Sequence, residues 1–326
     1  MALFKEIDKD PVRQHSPIVP EEFNRPGEPL DPQAAHTFLA THRDLIDRLR
    51  AIGLMMEHSS DGYEPVDRPP NPYNLLWGGE LLLLDARLDV AQGDRARALE
   101  TMRALQGLSD HLTGVSSAGT LEACLAGALH QQVRLHLMES ILPSLPADQI
   151  DLASWEAEMG ALPARPKDYA GLQRGDWNSM MSELLPALVD TSDVSVPADA
   201  DLLVEIYTRH MREMASLPQD VNLGEMADHD RSAPSVDHLS WRGRDLASGL
   251  GLKERDVYFR DLWQTQQASA GMTQAAFAIL HGKPVPNDPV SGLPYQWNPA
   301  TRELSMPDTP RYREADIGPV KVPNIR

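Results

Sequence analysis

The stretch "LLLLDARLDVAQGDRARALETMRAL", residues 81 to 105, constrains the fold more than any other part of the chain. Leu75, Leu76, Leu81 to Leu84, Leu88 and Val90 recur at helical spacing, and Ala98, Leu99, Met102, Leu105, Leu108 and Leu112 repeat the pattern after a short gap. That gap, Ala91-Gln-Gly-Asp94, is long enough only to reverse the chain. Gly93 suits the left-handed conformation that ends a helix, and Asp94 suits the cap of the next one. The spacing therefore predicts a helix beginning near Tyr73, a tight turn, and a second helix folded back against the first.

Other amphipathic segments extend this theme. Asp31-Pro32 places a cap before a proline at the first helical position, and Phe38, Leu39, Leu45, Ile46, Leu49 and Ile52 follow, predicting a helix over 32–57. A fourth helix, 117–142, carries Leu121, Leu125, Leu129, Val133, Leu137 and Ile141 and stops at Pro143. Pro146, with Asp148 as its cap, opens a shorter helix through Met159. Further helices are predicted at 168–190, 199–216 and 253–281. Residues 1–31, punctuated by prolines, read as an extended arm. The expected organisation is that arm, a helical-hairpin domain over 32–162, a second helical region over 163–282 with a long polar loop at about 217–252, and a terminal cassette over 283–326.

The cassette leaves helix. Gly282 is placed to end the last helix and Pro284 blocks its continuation. Leu293, Tyr295 and Trp297 alternate, Asn298-Pro-Ala-Thr301 turns the chain, and Leu304 and Met306 resume the alternation. The expectation is a β-hairpin whose apolar face, Leu293 included, packs on the preceding helix. The fold class is thus mainly α: stacked antiparallel helical hairpins with a small C-terminal β-hairpin.

Two local resemblances accompany this reading. Residues 75–112, a small-residue helix, a Gly-Asp turn and an Ala-Leu-rich helix, resemble a tetratricopeptide-type hairpin, with no second copy at the period of about 34 residues. Asp288-Pro289, Gly292, Pro294-Tyr295 and Trp297 are similar to the ending of type II secretion major pseudopilins and related bacterial envelope proteins. "Ala315-Asp-Ile-Gly318" echoes the same tail. The likeness covers about 20 of 326 residues and implies a small sheet against a long helix in an envelope-facing protein. The N-terminal apolar helix and cleavage site of a pseudopilin have no counterpart here, so pilus assembly does not follow.

Chemical signatures are sparse. With 30 Lys and Arg against 48 Asp and Glu, the formal charge of −18 disfavours nucleic-acid and anionic-lipid partners. The single cysteine, Cys124, lies in an apolar helical pattern and reads as a buried hydrophobe. No run reaches the roughly 20 apolar residues of a transmembrane helix, and the polar start also matches a chain from which a signal or anchor has been removed. "GVSSAGT" at 114–120 reads as a turn and cap rather than a nucleophile elbow. No phosphate loop, dinucleotide fingerprint or haem motif stands out, so no catalytic residue and no cofactor is predicted.

The metal-ligand candidates are Asp228, His229, Asp237 and His238, since imidazole and carboxylate together bind transition metals. Elsewhere, His130 and His136 sit about 600° apart along one helix and point to different faces, while His136 and Glu139 can share one. Six tryptophans, Trp77, Trp155, Trp177, Trp241, Trp263 and Trp297, are each read as core or interface anchors. The leading functional expectation is a non-catalytic binding or scaffold protein with a protein partner in a bacterial envelope-associated assembly, located in the periplasm or envelope. A metal-dependent hydrolase using the four loop residues and an acidic inhibitor or immunity-type protein are the alternatives, with the cytoplasm as the alternative location.

Overall fold

A computed structural model describes residues 19–55, 73–114, 120–146, 150–160, 174–178, 195–216, 255–314 and 317–325, with isolated positions 181, 237, 239, 240 and 244. Among these the chain is mainly helical, with one small antiparallel sheet near the C-terminus. The helices are α1 (Pro32–Ala40), α2 (Arg43–Gly53), α3 (Tyr73–Ala91), α4 (Arg95–Gly114), α5 (Thr120–His136), α6 (Leu152–Met159), α7 (Ser195–Ser216), α8 (Arg255–Leu280) and α9 (Pro310–Glu314). The strands are β1 (Gln296–Asn298), β2 (Glu303–Ser305) and β3 (Val320–Lys321).

The α3–α4 hairpin forms as its residues dictate. Gly93 adopts φ +83°, and the Asp94 and Gly93 amides bond back to the Asp89 and Val90 carbonyls, closing α3 with a left-handed cap. Asp94 Oδ1 then accepts from the Arg97 amide, 3.1 Å, to start α4. Every residue from Leu81 to Val90 is buried, so α3 is the central post of the stack. It packs against α1, α2, α4 and α5; α5 in turn packs against α8.

The predicted 32–57 helix is two helices. Asp31 caps α1 by accepting from the Gln33 and Ala34 amides, with Pro32 at the first position. The chain then breaks because Thr41 Oγ1 donates to the Phe38 carbonyl and His42 Nδ1 lies 3.1 Å from the same oxygen, drawing it out of the helical ladder. Helix α2 meets α4 at very close range: a Cβ on Gly107 would lie 1.7 Å from the Gly53 carbonyl oxygen, and one on Gly53 would lie 2.0 Å from the Ala104 oxygen. Only residues without side chains allow the two backbones to touch there.

Helix α5 runs on through a π-helical turn, Leu137–Ile141, and a last turn, Leu142–Ser144. The next helix, α6, is capped by Asp151, which accepts from the Ser154 amide, rather than by the predicted Asp148; residues 147–149 lie outside the described set. Helix α8 ends on Gly282 at φ +68° with the Lys283 amide bonded to the Ala278 carbonyl, as the sequence indicates. A second, smaller apolar cluster joins Leu203, Ile206 and Tyr207 of α7 to Leu239, Trp177 and Met181. Of the predicted 168–190 helix, only 174–178 and 181 are described, and they are helical.

The terminal sheet has three strands, not two, in the order β1-β2-β3. Trp297 faces Leu304 across the first pair, and Leu304 faces Val320 across the second. Leu304, Met306, Val320 and Val322 enter the main core, and the sheet sits against α8. Leu293 corrects the predicted apolar face: at 46% relative exposure it points outward. The Asp288 amide bonds the Leu293 carbonyl and Asn287 bridges to Pro294, so this small loop fixes the register before β1 begins; Tyr295 turns inward and Trp297 packs half-buried against the core.

Candidate functional site

Inside the helical stack the described residues include a set of buried charged and polar side chains. Helix α3 carries Asp85, Arg87 and Asp89 in an otherwise apolar run, all at 5% exposure or less. Residues four apart share a helix face and residues two apart do not, so the two carboxylates turn one way and the arginine the other.

On the carboxylate side, Asp85 accepts from Arg43 Nη2 at 2.9 Å and from Arg50 Nη2 through a short bond. Arg50 Nε also donates to Thr101 Oγ1, 3.1 Å away on α4. Asp89 lies 3.4 Å from Arg97 Nε, while its Oδ2 is buried with no hydrogen-bond partner. Burial and the neighbouring Asp85 charge push the Asp89 carboxyl up to about 7, against the pull of Arg97 and Arg50. The cluster ties α2, α3 and α4 together, and Asp89 is its proton-exchanging member near neutral pH.

On the opposite side Arg87 reaches the N-terminal strap, the segment 19–31 that precedes α1. Its Nη1 donates to the Phe23 carbonyl at 2.6 Å and its Nη2 to the Glu28 carbonyl at 2.7 Å. Asn24 of the strap bonds Glu80, whose carboxyl burial holds above its usual range. The Gly27 amide donates to Ser140 Oγ, 3.0 Å, within the π turn, and Glu139 accepts the Lys321 amide of β3 at 3.1 Å. Strap and final strand therefore dock on one π-helical turn, the kind of local irregularity that recurs where helices carry special contacts.

His136 is buried beside the Asn24 backbone, and burial followed by the Arg87 charge lowers its imidazole to about 4. His130 is on another face, as its spacing requires, and lines a cavity with Gln106, Arg134, Met159 and Thr273. Burial and Arg134 lower it to about 4 as well.

The cassette is organised by Asp288, at 1% exposure. It accepts from the Val290 and Ser291 amides, from Ser291 Oγ and, across the fold, from Tyr312 Oη at 2.7 Å. Gly292 takes φ +69° to complete the turn. Tyr295 Oη donates to the Ala268 carbonyl of α8 at 2.6 Å, over Gly271, where an added Cβ would lie 2.3 Å from that hydroxyl. Arg302 stacks 5.7 Å over Trp297 and clamps the Val322 and Pro323 carbonyls.

Of the predicted metal candidates, Asp228, His229 and His238 lie outside the described residues, and Asp237 is exposed with its carbonyl accepting from Arg244. Among the described residues no group of three or more His, Cys, Asp and Glu is arranged to hold a metal, and no described helix is long and apolar enough to cross a membrane. Cys124 is buried, as its pattern indicates. Trp155 is core, Trp177 donates to Thr208 Oγ1 at 2.9 Å, Trp297 is half-buried, and the side chains of Trp241 and Trp263 lie outside the described set. The α3 charges were missed by motif reasoning; their signal was three charges in a helix apolar on all sides, which burial obliges to pair. None of the family models, curated proteins or solved structures compared with this chain matches it.

Proposed function

We propose that this chain is a non-catalytic binding or scaffold protein: a cross-braced helical stack that offers an acidic surface to a basic protein partner. The observation that carries the reading is where the charge lies. The buried charged residues, Asp85, Asp89, Asp199 and Asp288 against Arg87 and Arg134, account for little of the formal −18, so nearly all of it is carried outside the described core. A net excess of surface charge of one sign favours a partner of the other by speeding encounter and rejecting like-charged competitors.

Internal bracing supports the same reading. The ion cluster on α3, the strap held by Arg87 and the sheet pinned by Asp288 fix helix against helix, which is what a docking surface needs and a moving enzyme lid does not. The likeness of the 288–297 segment to pseudopilin endings supports a location at the bacterial envelope, and the α3–α4 hairpin supports a tetratricopeptide-like mode of stacking.

Co-purification of the tagged full chain from native envelope extract tests the proposal. The expected result is one basic protein in stoichiometric amount, released as ionic strength rises. Recovery of no stoichiometric partner, or of one that high salt does not release, contradicts it.

A further inference from the structure

Among the described residues, the strap over 19–31 is held to the stack by side chains alone. Its backbone–backbone hydrogen bonds are local, from the Phe23 amide to the Pro20 carbonyl and from the Asn24 amide to the Glu21 carbonyl, until the Asp31 carbonyl opens α1. Its ion pairs are local too: Arg25 reaches Glu21 at 2.7 Å and Glu28 at 3.5 Å. What joins it to the stack is the pair of Arg87 bonds, the Gly27 amide on Ser140 Oγ, the Asn24 bonds with Glu80 and His136, and the packing of Val19, Phe23 and Leu30. A segment with no backbone ladder to its neighbours can open without unfolding the helices behind it.

This attachment includes one titratable group whose charged form does not fit. His136 is 2% exposed and meets the Asn24 backbone and the Arg87 charge. An imidazolium donates from both ring nitrogens. Nδ1 is buried with no hydrogen-bond partner among the described residues, so a second ring proton finds no acceptor there. The new charge would also arise beside Arg87, whose Nη1 and Nη2 already grip the strap. The other charged groups at the contact are Glu80 on α3, Glu28 in the strap, which favours the Arg87 charge, and Glu139 in the π turn, which takes the Lys321 amide of β3. With the strap closed the ring is held to about 4; in water an imidazole sits at about 6.5.

We propose that the strap is an acid-released latch: protonation of His136 sets a second cation beside Arg87, and residues 19–31 leave the stack while α3 and α5 stay folded. Release frees the imidazolium to reach water and bares the Arg87 guanidinium.

The test is hydrogen exchange of the full chain, resolved amide by amide and referenced to the unstructured rate at each pH. Because the open strap lets His136 bind its proton more tightly, protection of the Gly27 amide should fall as pH drops from about 6.5 to about 4, by up to about 300-fold from His136 alone. Amides of α3 over 81–90 should keep their protection through the same range. Glu80 acts in the opposite sense, since burial raises its carboxyl and its proton favours the closed strap, so Glu80→Gln should steepen the fall. His136→Gln, which keeps an amide for the Asn24 contact, should flatten it. Gly27 protection that does not fall with acid, a fall shared equally by α3, or the same fall in His136→Gln would overturn the latch. The first two are read in the parent chain and decide the matter even where His136→Gln does not fold.

Discussion

Replacing Gly107 by alanine puts a methyl group where the α2 and α4 backbones touch. The new Cβ would stand 1.7 Å from the Gly53 carbonyl oxygen and 2.8 Å from its carbon, against ordinary contacts of 3.4 Å or more. Neither atom can rotate away, because both are backbone, so one helix must shift. Overpacking of this kind costs about 1–3 kcal/mol. An obstacle made of backbone belongs at or above the top of that range, and the better helix preference of alanine returns about 1 kcal/mol. The net expectation is a loss of roughly 2 kcal/mol, a fall in Tm of about 3 °C for a chain of 326 residues. Two other glycines isolate the cause in the same thermal assay. Gly318→Ala, with open space and ordinary backbone, should be nearly silent. Gly93→Ala, also in open space but at φ +83°, should cost about 1 kcal/mol from conformation alone. If Gly107→Ala proves as mild as Gly318→Ala, α2 and α4 do not cross at this distance and the account of the stack fails.

Two further substitutions probe the buried charges. Asp288→Ala removes the acceptor of two amides and two hydroxyls and should cost roughly 3 kcal/mol, with loss of the near-ultraviolet signal of Tyr295, Tyr312 and Trp297; an unchanged spectrum would show that the cassette does not depend on it. Asp89 has a folded pKa of about 7, above that of a free carboxyl, so the stabilisation its proton provides is complete below about pH 4 and is lost as pH rises to about 7. Asp89→Asn should remove that slope and be the more stable form at about pH 8, by about 1–2 kcal/mol once screening around half-exposed Arg97 is allowed for. His130 and His136, lowered to about 4, act in the opposite sense as pH falls from about 6.5, and cancel when the two chains are compared. Parallel pH–stability curves would refute the role given to Asp89.

Elements whose local chemistry and apolar period agree were legible in the sequence. Gly93 with Asp94, Asp31 with Pro32, and Gly282 before Pro284 mark ends that the structure places where the residues put them. The break at Thr41 was hidden because apolar spacing continues across it while a side-chain bond to Phe38 ends the helix. The π turn was equally silent: Leu137, Met138, Ile141 and Leu142 are all buried, so an extra residue in the turn leaves the pattern apolar. Strand β3 is only Val320–Lys321, too short to alternate. The outward Leu293 follows from a turn held by Asp288, which alternation cannot foresee. Partners of the buried polar groups were harder still. Glu139 with Lys321 is 182 positions apart and Arg134 with Ser269 is 135, and such pairings are set by packing rather than by spacing.

On the function proposed above, an acidic, internally braced helical stack binds a basic protein through its surface charge. The most direct measurement is the affinity of the full chain for its co-purified partner across a series of ionic strengths. The account predicts that affinity falls steadily as salt rises, chiefly through slower association. An affinity that does not change with ionic strength would contradict it.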